Sequence, residues 1–166
     1  MRSRFHHIIF FVLISVAGNS QSFNGTISPS VNVQNVMSVT VVQNIASINF
    51  STFDQFNNGI TVSNYTTLQI KSNADWTFSA STTTQYFSAS GGSASPTMPA
   101  SILQMAKSTS ATYYTLSTTP QQITSGIRGD LTQPTNIFNV NLKATPGYEY
   151  GPGTYSITIR YTVTAL

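Results

Sequence analysis

Beyond its N-terminal leader, this sequence has four carboxylate side chains with which to do acid–base chemistry: Asp54, Asp75, Asp130 and Glu149. Both histidines, His6 and His7, fall in the leader, and cysteine is absent. That inventory removes the imidazole base, the Ser–His pair, thiolate nucleophiles and cysteine-based zinc sites. Paired carboxylates alone suffice for glycoside hydrolysis. Asp75 is the most suggestive of the four, because an aromatic ring beside a carboxylate, here Trp76, can stack a sugar. The plainer reading has Asp75 ending a turn and Trp76 entering a core. Asp54 and Asp130 then serve as turn residues, and Glu149 is a solvated loop charge. No closely spaced acidic loop suits calcium, and Gly91-Gly92 is a flexible pair rather than a phosphate cradle. The expectation is a non-enzymatic protein with no catalytic residue, no cofactor and no metal.

Aromatic residues offer the other chemistry. Trp76, Tyr113 (beside Tyr114), Tyr148 and Tyr150 are candidate glycan contacts, since exposed rings stack pyranose faces. Against this, each tyrosine pair also fits one ring buried and one at the rim. Asn24-Gly25-Thr26, Asn49-Phe50-Ser51 and Asn64-Tyr65-Thr66 match the N-glycosylation acceptor pattern. A chain this rich in Asn, Ser and Thr produces such triplets by chance.

Arg2 and Arg4, the apolar run Ile8–Ile14 and the mostly small residues Ser15–Ser22 follow the order of a secretory signal peptide. The run is shorter than the roughly 20 residues a membrane span needs. Residues 1–20 are therefore expected to be a signal peptide, with cleavage after Ala17, Ser20 or Ser22. The product would be exported to the periplasm, the cell surface or the extracellular medium, with no membrane span in the mature chain. Without the leader, Lys71, Lys107, Arg128, Lys143 and Arg160 oppose the four acids, and the net charge of +3 shrinks to a single positive excess. No cationic cluster remains to displace counterions, so nucleic acid is not an expected partner.

Ser (23), Thr (24), Asn (13) and Gln (10) make this chain polar through hydroxyls and amides, while hydrophobic residues still reach 40%, enough for a core. Alternation with period two dominates. Tyr155, Ile157, Ile159, Tyr161 and Val163 form one face of a last strand, entered through Pro146-Gly147 and Gly151-Pro152-Gly153. Earlier runs are Val31–Val41, Ala46–Phe50, Ile60–Val62, Leu68–Ile70, Trp76–Ala80, Tyr114–Leu116 and Phe138–Leu142. Asn57-Asn58-Gly59 marks a turn, Ser88–Pro99 a loop, and Ala100–Ala106 one helical turn. About seven to nine short strands at such spacing predict an all-β fold: a single Ig-like antiparallel β-sandwich over residues 21–166, with a closed barrel as the alternative. Trp76, Phe78, Ile157, Ile159 and Tyr161 are its expected core.

Two stretches carry a resemblance. Leu68-Gln-Ile-Lys-Ser-Asn-Ala-Asp-Trp-Thr-Phe, followed by the terminal Gly153-Thr-Tyr-Ser-Ile-Thr-Ile-Arg-Tyr-Thr-Val-Thr, resembles secreted bacterial β-sandwich surface proteins of the Bacteroidetes type. The closing Gly-x-Tyr strand is also similar to the ends of fimbrial and spore-coat-U-like subunits. The resemblance implies an extracellular structural or adhesive role, without carrying over any functional residue. The chain departs from chaperone–usher pilins in lacking their cysteine pair.

Residues 21–42 have two readings. Val31, Val33, Met37, Val39 and Val41 alternate as an ordinary first strand would, with Asn35 interrupting the row. The same segment suits an exchangeable arm that adds a strand to a neighbouring copy or related subunit, beside the C-terminal strand. The expected function is a structural or adhesive surface subunit with partners of its own kind. Its alternative is a carbohydrate-binding module that uses exposed Trp or Tyr on surface glycans.

Overall fold

A computed structural model describes residues 30–44 and 47–166. The expected signal peptide, its three candidate cleavage positions and the Asn24 triplet lie outside the described residues. Two compact units divide the chain, Met1–Val33 and Gln34–Leu166. In the first, residues 30–33 are exposed and carry no regular secondary structure. The second unit is an all-β, sandwich-like fold of antiparallel sheets, and the strands number ten among the described residues.

The larger sheet holds β1 (Met37–Gln43), β2 (Ile60–Ser72), β8 (Ile137–Ala144), β5 (Leu103–Lys107) and β6 (Tyr114–Thr115), side by side in that order. The smaller sheet runs β10 (Ile159–Ala165), β3 (Trp76–Thr82), β7 (Gln121–Gly126). A separate ribbon pairs β4 (Ser88–Ser90) with β9 (Thr154–Ser156). One short helix, α1 (Phe53–Asn58), precedes β2.

Period-two burial explains the packing. Leu68 and Ile70 of β2, Phe138, Val140 and Leu142 of β8, and Leu103 and Met105 of β5 meet Trp76, Phe78 and Ile123 from the other sheet. The Phe138 ring stacks on Trp76 (centroids 5.7 Å, 14°) and meets Phe78 edge-on (5.5 Å). Such ring pairs contribute about 0.5–1.5 kcal/mol beyond their burial. Ile157, Ile159 and Tyr161, expected in the core, are half-buried at its margin.

Several expectations need correction. The first strand begins at Met37, so Val31, Val33 and Asn35 lie outside it. The last strand is two: β9 pairs β4, and β10 pairs β3, with a break at Ile157-Thr158 where the chain changes partner. Ile60–Val62 and Leu68–Ile70 belong to one long strand whose register shifts between Val62 and Thr66. Ile48 and Phe50 pack on the core margin without strand pairing. After Pro99 a single 3-10 turn, Ala100–Ile102, leads directly into β5, because Leu103 and Met105 alternate inward against Ala144 and Leu142.

Candidate functional site

Trp76 is not a glycan contact. Its side chain is fully buried, and its indole Nε1 donates to Asn136 Oδ1 at 3.2 Å. A ring enclosed by both sheets has no face left for a sugar. The neighbouring carboxylate serves structure, since Asp75 Oδ1 accepts from the backbone N–H of Arg128, 53 positions away, at 2.8 Å. Asp130 closes a turn by accepting from Thr132 N–H and Oγ1 at 2.9 and 2.6 Å, bonds that hold its carboxyl below the usual range. Asp54 accepts from Asn58 Nδ2 within α1. Asp54 and Asp130 thus support their own helix and turn, while Asp75 ties the turn before β3 to the loop that follows β7. Among the described residues, no helix is long and apolar enough to cross a membrane.

Among the described residues, the sandwich is open along one flank. Tyr161 of β10 reaches across to β2, where its hydroxyl and that of Thr66 share a hydrogen bond at 3.2 Å. β3 lies over β8 through the Trp76–Phe138 pair, and β7 approaches β5 and β6. Stacked in this sequence, the strand of the smaller sheet nearest the flank covers β2. No strand among the described residues covers β1.

The consequence is visible residue by residue. Register places Met37, Val39 and Val41 beside Ser72, Ile70 and Leu68, on the core-facing side of the sheet. Leu68 and Ile70 are 0% exposed, yet Val39 and Val41 remain 40% and 45% exposed. Across the flank, Ile159, Tyr161 and Val163 of β10 are half-buried. The backbone ladder of β10 runs to β3 alone, so its outer N–H and C=O groups have no strand partner among the described residues. Burial raises the pKa of the Tyr161 phenol, which keeps it neutral and able to hydrogen-bond at the floor of the flank. Met37, Val39 and Val41 are thus committed to the chain's own sheet. Val31 and Val33 precede it and are exposed.

A second surface lies at the end of β8. Tyr148 and Tyr150 line one recess together with Phe56 and Glu149. Tyr113 does not join them; it is half-buried beside Tyr114, whose ring packs on the core. Sequence reading missed Phe53 and Phe56, which α1 delivers to this surface. The signal was present in Thr52-x-x-Gln55, a capping box that starts a helix. Thr52 Oγ1 accepts from Gln55 N–H, and Gln55 Oε1 accepts from the Thr52 and Ser51 N–H groups.

Among the described residues, an open apolar flank beside the outer edge of β10 and a recess faced by aromatic rings are thus two surfaces with exposed apolar side chains. Comparison with known proteins adds no relative: no family model matches this chain, and no curated protein matches it.

Proposed function

We propose that this chain is an exported, non-enzymatic structural or adhesive surface subunit whose open flank accepts an extended segment from a neighbouring copy. The observation that carries the reading is the pair Val39 and Val41, which face the core side of the larger sheet and, among the described residues, are left uncovered next to an edge of β10 without a strand partner. An added strand beside β10 would satisfy that edge with main-chain hydrogen bonds. It would also place every second side chain over Val39 and Val41. Seven residues of β10 span roughly 23 Å at about 3.3 Å per residue, so a donated strand presents three or four side chains inward.

The donor belongs to the stretch before β1, since Met37–Gln43 already pairs with β2. Residues 21–36 contain Phe23, Ile27, Val31 and Val33, spaced so that alternate positions can fill the flank. An unprotected strand edge is otherwise a site of uncontrolled pairing, which gives the flank a physical reason to be covered in use.

The test is the association state of the mature chain, followed by sedimentation velocity. Oligomers are expected to form and to be lost on deletion of residues 21–33, with the far-ultraviolet spectrum unchanged. A peptide of residues 21–36 should bind the truncated chain. Val41→Asp should abolish both oligomers and peptide binding, because a desolvated carboxylate in the flank finds no partner. A full-length mature chain that stays monomeric at high concentration overturns the reading.

A further inference from the structure

We propose that the recess between α1 and the turn at residues 145–150 binds a neutral or amino-sugar pyranose of a glycan, with the Tyr148 ring as its stacking platform. The recess is an open one of about 430 Å³, within the roughly 300–1,000 Å³ of small-molecule sites. It is separate from the open flank and shares no residue with it.

The aromatic surface is costly to leave in water and is built to stay there. Phe53 is 79% and Tyr148 59% exposed. The Tyr148 ring stacks on Phe56 (centroids 5.7 Å, 25°) and touches Phe53 at 6.4 Å, and Phe56 in turn rests on Phe50. The Tyr148 hydroxyl donates to the Phe53 carbonyl at 3.1 Å, tying the turn to the helix. Gly147, at φ 65°, gives the bend that presents the ring, and it has open space around it. Gly59 ends α1 so close to β8 that a Cβ there would lie 2.3 Å from Thr145 Oγ1. Helix and turn are thereby locked together. A platform ordered in advance loses little freedom when a ligand arrives.

The surrounding groups select the ligand. The axial C–H bonds of a pyranose carry partial positive charge and meet the negative face of an aromatic ring. Its hydroxyls need donors and acceptors at the rim, and Asn57, Ser101, Thr145 and Tyr150 stand there. Desolvation and the adjoining Glu149 raise the pKa of Tyr150, so its hydroxyl remains a neutral phenol. Among the described residues, Glu149 is the one charged residue lining the recess, with no cation beside it. That excludes uronates, sialates and phosphorylated sugars, and favours neutral hexoses or cationic amino sugars.

The experiment applies the mature chain to an array of immobilised neutral, amino and acidic oligosaccharides. Hits are then measured in solution by saturation-transfer NMR. Binding is expected to neutral or amino glycans and not to acidic ones. Tyr148→Ala and Phe53→Ala should each weaken it at least tenfold, while Tyr148→Phe retains it because the ring face remains. Both alanine changes fall on exposed side chains, so unchanged thermal unfolding separates lost stacking from lost structure. Val41→Asp, aimed at the flank, should leave glycan binding intact, which keeps the two readings separable. Absence of any hit, selective capture of acidic glycans, or binding that survives Tyr148→Ala overturns the proposal.

Discussion

Gly126→Ala is expected to destabilise the fold by about 3 kcal/mol, although it adds a single methyl group. Gly126 pairs with Trp76 across β3 and β7, and a Cβ there would lie 2.1 Å from Trp76 Cζ2 and 2.5 Å from Cε2. The indole cannot move aside. Phe138 is stacked on it, Asn136 holds its N–H, and the residue is 0% exposed. Overpacking a closed core typically costs about 1–3 kcal/mol, and a rigid ring with no flexible end belongs at the upper limit. For a domain of this size the midpoint temperature should fall by roughly 10 °C. Trp76 is the only tryptophan, so its fluorescence reports the transition directly. Urea unfolding should show a lower midpoint with an unchanged slope. A loss under about 0.5 kcal/mol would mean that the two strands separate more readily than their packing implies.

Asn136→Leu should cost a similar amount, about 3 kcal/mol, for the opposite reason: it fits the space and breaks the bonding. Asn136 is fully buried and joins three parts of the chain. Its Oδ1 accepts from Trp76 Nε1 and Thr135 Oγ1, while Nδ2 donates to the Gly129 and Asp130 carbonyls, both at 3.1 Å. Its own carbonyl accepts from Ile70 N–H at 2.9 Å. Leucine would keep that backbone bond but leave the indole N–H and two loop carbonyls without this partner. Each unsatisfied buried group costs about 1–3 kcal/mol, with partial relief where water enters. Hydrogen exchange should rise through residues 127–135 as the loop loosens. A double-mutant cycle with Trp76→Phe isolates the central bond. Removing the N–H and its acceptor together should cost at least about 1 kcal/mol less than the sum of the single changes. Additive losses would show that Asn136 acts on the loop alone.

How much of this was legible depends on the range of the signal. Alternation between Tyr155 and Val163 survives in the structure, because side-chain direction is a property of each residue's own extended backbone. Pairing is not such a property. Nothing in an alternating row marks Ile157-Thr158 as the point where the chain leaves β4 and joins β3. β7 was invisible because Gln121–Gly126 contributes one buried side chain, Ile123, and its strand form depends on β3 beside it. Asn136 reads as one more polar residue until Trp76 closes over it.

By itself, then, the sequence determined an all-β chain with Trp76 and Phe78 inside, Asp54 and Asp130 in local hydrogen bonds, and neither imidazole nor thiol beyond residue 7. Those properties follow from residue type and near neighbours. Tertiary structure alone decided that β1 overhangs the smaller sheet and that Phe53 and Tyr148 share a surface across 95 positions of chain. Both depend on which distant strands meet, and that choice is set by the summed burial of the whole core rather than by any segment's own pattern.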